Sequence, residues 1–323
     1  MTPPSAPLRV GTRGSALALW QTEHVRGRLA DAGYATERVE IRTTGDMVQH
    51  LPLAQIGSRA LFTKQIDDAM LEGQIDLAVH SLKDLPTVLP DGIALVAVGQ
   101  REDPRDALVG RGPLRWDELP EGAVLATSSL RRRAQLLHRR PDLQVRDIRG
   151  NVDTRVAKLD AHTEWSGILL AAAGLVRLGF GHRIGERLPS AVMLPAPGQG
   201  ALAVTARTGD QISAAAARRA IHHARTALAV TAERAFLRAL EGGCQVPVAA
   251  LASMDEGGEL RLQGRVVALG GERSVEGVEA RRAADESGAD KLGVVLAERL
   301  IGDGAASILA EVRASSAPAV PEP

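Results

Sequence analysis

The chain carries one cysteine, Cys244, among 323 residues. A lone thiol cannot close an internal disulfide, so nothing points to an oxidising compartment. With no regular His/Asp spacing to accompany it, a metal site is not expected either. Aromatic residues make up 2% of the sequence, which leaves Ala, Val, Leu and Ile to build the cores. It also removes the interleaved aromatics that a nucleic-acid surface would use. An excess of one charge is missing too: Lys+Arg and Asp+Glu number 39 each, so no global field attracts a nucleic acid. Long apolar runs are lacking. The longest, Gly167 to Val176, stops at Arg177 and is too short to span a bilayer. The Pro-rich start, Met1 to Pro7, has neither a basic segment nor an apolar core and does not read as a signal peptide. The expectation is a cytoplasmic protein with no membrane and no nucleic-acid partner.

What is present is an alternation of strands and helices. Leu8 to Arg13 reads as a strand and its exit, and Ser15 stands where an N-cap belongs. Leu17, Trp20, Val25 and Leu29 then fall on one broad side of a helix that Gly33 can stop. Val39 to Thr43 alternates like a half-buried strand, and a helix near Thr63 to Leu71 precedes the apolar strand Ile75 to His80. The pattern restarts near Arg101 with strands at Ala123–Thr127, Gln144–Ile148 and Gly167–Ala172 and a helix through Arg131–Arg139. This is an α/β pattern with mostly parallel sheets, in two similar domains with a cleft between them. Leu194 to Gly200 is rich in turn formers and suits a hinge. The last third differs: a helix from Thr226 to Gly242–Gly243, strands at Val246–Ala252, Leu260–Leu269 and Ser274–Ala280, and a helix carrying Leu292, Val295, Leu296 and Leu300. That is a small C-terminal α+β domain, followed by an Ala/Ser/Pro-rich tail from Ala314 that is expected to be disordered.

The strongest chemical signal is cationic. Nine Lys and Arg residues lie between Arg131 and Lys158, interrupted by Asp142, Asp147 and Asp153 alone. Thr127, Ser128 and Ser129 precede the first arginines at a strand-to-helix turn, where hydroxyls and free backbone N–H groups make a ready anion site. Arginine adds a planar fork that matches carboxylate or phosphate. The second signal, His80 to Pro86, places Lys83 and Asp84 at the carboxyl end of a strand, the edge at which open α/β sheets bind ligands. A carboxylate beside cations can act as acid, base or stabiliser of a positive intermediate. The third is Cys244, which follows a Gly pair in an apparent loop and could be a nucleophile. The residues alone leave two readings open, an α/β enzyme and a non-catalytic polycarboxylate-binding protein of the same two-lobed fold.

Read together, these segments resemble the porphobilinogen deaminase (hydroxymethylbilane synthase) family. The resemblance rests on Gly11-Thr12-Arg13-Gly14-Ser15, Leu61 to Lys64, His80 to Pro86, Arg101 to Ala107, Thr127 to Arg132, Arg149 to Arg155, Ala172 to Arg177, Leu194 to Ala201 and Gly242 to Pro247, in that order. It implies three domains: residues 1–101 with 200–219, residues 102–199, and residues 220–313, ahead of the tail 314–323. The first two would resemble the two-lobed periplasmic binding-protein fold. It implies a dipyrromethane cofactor joined by a thioether to Cys244, onto which four porphobilinogen molecules condense head to tail with loss of ammonia before the linear tetrapyrrole is hydrolysed off. Asp84 matches the family's catalytic aspartate. Lys83, Ser81, Thr127, Ser128, Ser129, Arg131 and Arg132 match positions on the cofactor side. Arg13, Ser15, Arg149, Arg155, Arg177, Gln199 and Gly200 match positions on the substrate side. The resemblance also implies a monomer. One departure is Gln55 to Arg59, where bacterial relatives often carry lysines on both sides of a glycine pair and this chain keeps a charge at Arg59 only.

Overall fold

A computed structural model of the chain describes residues 6–43, 63–240, 246–283 and 285–316. Cys244, the Gln55–Arg59 segment, and Leu61 and Phe62 lie outside the described residues.

The chain opens with β1 (Leu8–Thr12), α1 (Ala16–Asp31), β2 (Thr36–Glu40), α2 (Lys64–Leu71), β3 (Leu77–Ser81) and β4 (Ile93–Val98). It crosses into β5 (Asp106–Val109), β6 (Val124–Ala126), α3 (Leu130–Arg139), β7 (Gln144–Arg146), α4 (Val152–Ala161), β8 (Gly167–Ala171), α5 (Ala172–Arg177) and β9 (Ile184–Arg187). It then crosses back into β10 (Leu202–Arg207) and α6 (Gln211–Ile221). The two sheets have equivalent orders, β2-β1-β3-β10-β4 and β7-β6-β8-β5-β9. In each, the strand that has just crossed over from the other sheet inserts antiparallel between its two neighbours. The other pairings within these two sheets are parallel. Two lobes joined by two exchanged strands leave their parallel carboxyl ends facing one cleft, which accords with the two-lobed reading of the sequence.

Local signals explain most element starts. The Ser15 hydroxyl accepts from the Ala18 N–H and starts α1, and Gly33, at φ 88°, ends it in a conformation that glycine adopts without strain. Trp20 does not sit on the buried face with Val25 and Leu29. It is 38% exposed, stacked on His24 of its own helix and facing Arg177 of the second lobe. The second strand ends at Glu40, three residues before the Thr43 that alternation suggests.

The remaining unit comprises α7 (Ala224–Ala239), the antiparallel sheet β11 (Val248–Met254), β12 (Glu259–Val267) and β13 (Ser274–Arg282), α8 (Glu286–Leu300) and α9 (Ala306–Ser316). Its core joins Phe236 of α7 to Leu260 and Leu262 of β12 and Leu292, Leu296 and Leu300 of α8. Gly264 is a packing glycine: a Cβ there would stand 2.5 Å from Phe236 Cζ, so the strand can lie on the ring only without one. Val295 is 46% exposed and stays outside this core. Of the tail expected from Ala314, Ala314 to Ser316 complete α9, and residues 317–323 lie outside the described residues. The helix persists because Ile308, Leu309 and Val312 bury its inner face.

Candidate functional site

The residues singled out in the sequence collect at carboxyl ends of parallel strands. Thr12 and Arg13 end β1. Ser81, Lys83 and Asp84 follow β3 in one 3₁₀ turn, Leu82–Asp84. Thr127 to Ser129 follow β6, Arg149 follows β7, and Arg177 closes the short helix after β8. β3 is buried on both faces from Leu77 to His80, and the turn that follows it delivers the exposed Asp84 beside the half-buried Lys83.

Asp106, the first residue of β5, is fully buried. Arg131 donates to it through Nη1 at 2.7 Å and Nη2 at 3.2 Å, Arg132 through Nε at 2.9 Å, and Gln199 through Nε2 at 3.0 Å. Burial alone would raise its pKa, but the two guanidiniums hold the carboxyl well below the usual carboxylate range. Arg131 and Arg132 are 6% and 5% exposed. Arg131 also donates to Leu194 O, and Arg132 to Leu169 O. The two arginines expected to face a ligand are therefore first of all a buried ion-paired cluster, with only their remaining N–H groups left to point elsewhere.

Gln199 is engaged by the protein as well. It is fully buried, and its Nε2 reaches Pro104 O and Asp106 while its Oε1 takes Lys83 Nζ at 3.3 Å. Both ends of its amide are thus hydrogen-bonded within the protein. Gly200, at φ 89°, has its carbonyl taken by Arg177 Nη2 and the Glu102 N–H. A Cβ there would lie 2.5 Å from Glu102 O, so this is where the two crossing segments touch. The serines also serve the scaffold. Ser128 Oγ donates to Ile148 O and accepts from the Ile148 N–H. Ser129 caps α3 by accepting from the Arg132 N–H, Thr127 Oγ1 accepts from the Ser129 N–H, and Ser81 Oγ accepts from Gln21 Nε2.

The field in the cleft is positive. Lys83 feels Asp84, Arg132, Asp106 and Arg131, and burial with the two arginines lowers its pKa to about 8. Arg155 donates Nε to Gly150 O, and its pKa is lowered to about 10 by burial and by Arg132 and Arg149, against the attraction of Asp84. Among these seven side chains five are cations and two are carboxylates. Cations crowded past neutrality and partly dehydrated fit a ligand bearing several carboxylates, which a dipyrromethane with its acid side chains is. Anion binding at Lys83 is accordingly expected to weaken as pH rises through about 8, because the ammonium loses its proton there. KM measured across that range should rise, and Lys83→Met should flatten the rise. The ligand-free fold behaves in the opposite sense. Between about 8 and the ordinary 10.5 the unfolded lysine binds the more proton, so this residue makes stability increase with pH.

Arg177 and Arg13 stand apart from this cluster in their described contacts. Arg177 reaches from α5 in the second lobe to Gly200 O, with its guanidinium 5.7 Å from the ring centroid of Trp20 on α1. Trp20 in turn stacks on His24 at 5.3 Å. Arg13 acts on the buried His80, whose pKa is lowered to about 4 by burial and by that charge. Among the described residues no group of three or more His, Cys, Asp and Glu could hold a metal.

Fold and cleft together define a two-lobed α/β protein built around a cationic site for a polycarboxylate. Residues 8–215 match the family model for "Porphobilinogen deaminase, dipyromethane cofactor binding domain", and residues 227–302 match "Porphobilinogen deaminase, C-terminal domain". A porphobilinogen deaminase of Geobacter metallireducens is 49% identical over 308 residues, 94% of this chain and 94% of its own length. One of Desulforudis audaxviator is 51% identical over 314 residues, 95% of this chain and 98% of its own. A solved methionine-binding protein, MetQ, is similar at a TM-score of 0.41 and 13% identity, covering 66% of this chain and 87% of that one. This chain belongs to the porphobilinogen deaminase family.

Proposed function

We propose that this chain condenses porphobilinogen units head to tail, with loss of ammonia, on a dipyrromethane primer held covalently by Cys244, and releases hydroxymethylbilane by hydrolysis. The observation that carries the reading is the exposed Asp84 at the end of β3, acting on the half-buried Lys83 and on Arg155. The bound primer supplies an acceptor pyrrole whose free α-carbon is the nucleophile.

The chain's own residues do the rest. Lys83, Arg149 and Arg155, with the N–H groups of Arg131 and Arg132 not engaged by Asp106, hold acetate and propionate groups. Asp84 accepts a hydrogen bond from the substrate pyrrole N–H and stabilises the positive charge that develops on the substrate as ammonia departs. A carboxylate in that place can also take the proton that the coupled pyrrole must lose. Arg13, Ser15 and Arg177 line the substrate side. Gln199 and Gly200 shape the site from beneath.

The domain division that supports this reading is 1–101 with 200–219, 102–199 and 220–313. The protein acts as a cytoplasmic monomer without nucleic-acid or membrane partners. A net formal charge of zero gives no overall field to draw a nucleic acid, and no helix among the described residues is long and apolar enough to cross a membrane.

The test is the intact mass of the purified protein, followed by peptide mapping. Wild type is expected to carry the mass of a dipyrromethane on the peptide containing Cys244, and Cys244→Ser to lack both that mass and turnover. A wild-type chain that stays bare after incubation with porphobilinogen would sink the proposal.

A further inference from the structure

The segment that follows Asp84 has an unusual set of hydrogen-bond partners. Leu85 leaves the 3₁₀ turn in an extended conformation and Pro86 has no N–H, so the chain here makes no ladder and its carbonyls need donors from elsewhere. One side chain provides them. Arg234 on α7 donates Nη2 to Pro86 O at 2.8 Å and Thr87 O at 3.2 Å, and Nη1 reaches Leu85 O at 3.5 Å. The same helix also supports the turn through packing. Ala227 and Val230 of α7 bury Leu82 and Leu85, the residues on either side of Lys83 and Asp84.

The residue before it on α7, Glu233, secures the other half of the site. Its carboxylate is fully buried and takes Arg101 Nη1 at 2.6 Å, the Gly198 N–H at 2.6 Å and the Ala252 N–H at 2.7 Å. Arg101 and Gly198 belong to the two crossing segments, and Gly198 adjoins the Gln199 that receives Lys83. Two consecutive residues of one helix in the third unit therefore hold the Asp84 turn and the crossing beneath Lys83. In their described hydrogen bonds neither reaches Lys83, Asp84 or the cleft arginines.

We infer that Arg234 is a positioning residue for this reaction: by fixing three successive carbonyls it sets the direction in which the Asp84 carboxylate is presented to the cleft. This rests on the catalytic reading of Asp84 given above. Removing the guanidinium frees the Leu85–Thr87 backbone while leaving every cleft cation in place. It should therefore disturb the geometry of the reacting step far more than the binding of carboxylates.

The experiment compares wild type, Arg234→Met and Arg234→Lys as holoenzymes, with the covalent group confirmed by intact mass and folding confirmed by thermal melting. Wild type must first turn over porphobilinogen; if it does not, the functional reading fails and the inference about Arg234 is not what has been refuted. Given an active wild type, Arg234→Met is expected to keep its covalent group and a KM within about threefold of wild type while kcat falls about 10- to 100-fold, the cost of a small misplacement of a catalytic group. Arg234→Lys should recover part of kcat, because an ammonium can still donate to one or two of the three carbonyls. Undiminished kcat in folded Arg234→Met overturns the inference. So does a lysine variant that restores the melting temperature but none of the turnover, which would mark a role in stability alone.

Discussion

Asp84→Asn is expected to lower kcat by about 10²- to 10⁴-fold, the usual contribution of a positioned acid–base group, while KM holds or falls. Of the two carboxylates in the cationic cluster, Asp106 is fully buried under Arg131, Arg132 and Gln199 and has no freedom to meet a substrate. Asp84 is exposed at the end of β3 and acts on both Lys83 and Arg155. Asparagine keeps the volume and one acceptor oxygen but removes the negative charge. Lys83 and Arg155 then face one anion fewer of the protein's own, so a carboxylate ligand should bind at least as well. The split between kcat and KM is thus the signature to measure, by steady-state kinetics on protein whose covalent group is confirmed by mass. Turnover close to wild type would remove Asp84 from the mechanism. Loss of ligand binding with kcat intact would point instead to a binding role.

The second large effect is expected at Asp106. Truncation to alanine leaves Arg131 and Arg132 buried side by side with no counter-ion, and breaking a buried pair by removing one partner costs about 3–5 kcal/mol. The loss should appear as a lower midpoint in urea with little change in slope, because the surface exposed on unfolding is nearly the same. The carboxyl pKa is depressed in the fold, so its stabilisation is fully present above the ordinary carboxylate range and is lost as pH falls through the lower folded value. The difference between wild type and Asp106→Ala should therefore narrow in acid. An undiminished midpoint in the variant would mean that the cluster relaxes around the gap or draws in a solution anion. Adding a polycarboxylate would distinguish these two outcomes.

The sequence disclosed the strand ends and the residues they carry, because those signals are local. The Ser15 and Ser129 caps, the apolar run before Lys83 and Asp84, and the arginines after β6 are all legible within a few positions. What the sequence concealed is pairing over distance. Arg131 and Arg132 read equally well as ligand contacts until Asp106, at the head of a strand in another motif, is placed between them. Gln199 reads as a polar group in a hinge, and only the packed structure shows both ends of its amide consumed. Trp20 fits an apolar helix face by periodicity, yet it is 38% exposed and faces Arg177 of the other lobe. The supporting role of Glu233 and Arg234 had no signal at all beyond two charges in an alanine-rich helix, since their partners are a loop and two crossing segments far away in sequence. The crossings themselves could not be inferred from alternation, because β5 and β10 look like any other short apolar strand.

The exchanged strand β10 has a consequence for synthesis on the ribosome. In the first sheet, β3 and β4 are not neighbours; β10 lies between them, and its His80–Thr205 contact spans 125 positions. A nascent chain that has emitted β4 therefore holds two strands with open edges, and these stay unpaired until the whole second lobe has been translated. At roughly 5–20 residues per second that interval lasts several seconds, long enough for exposed edges to find other partners. The second lobe waits less, since β5 ends at Val109 and its first partner, β8, begins at Gly167. The lobe that carries Asp84 is thus the later one to close.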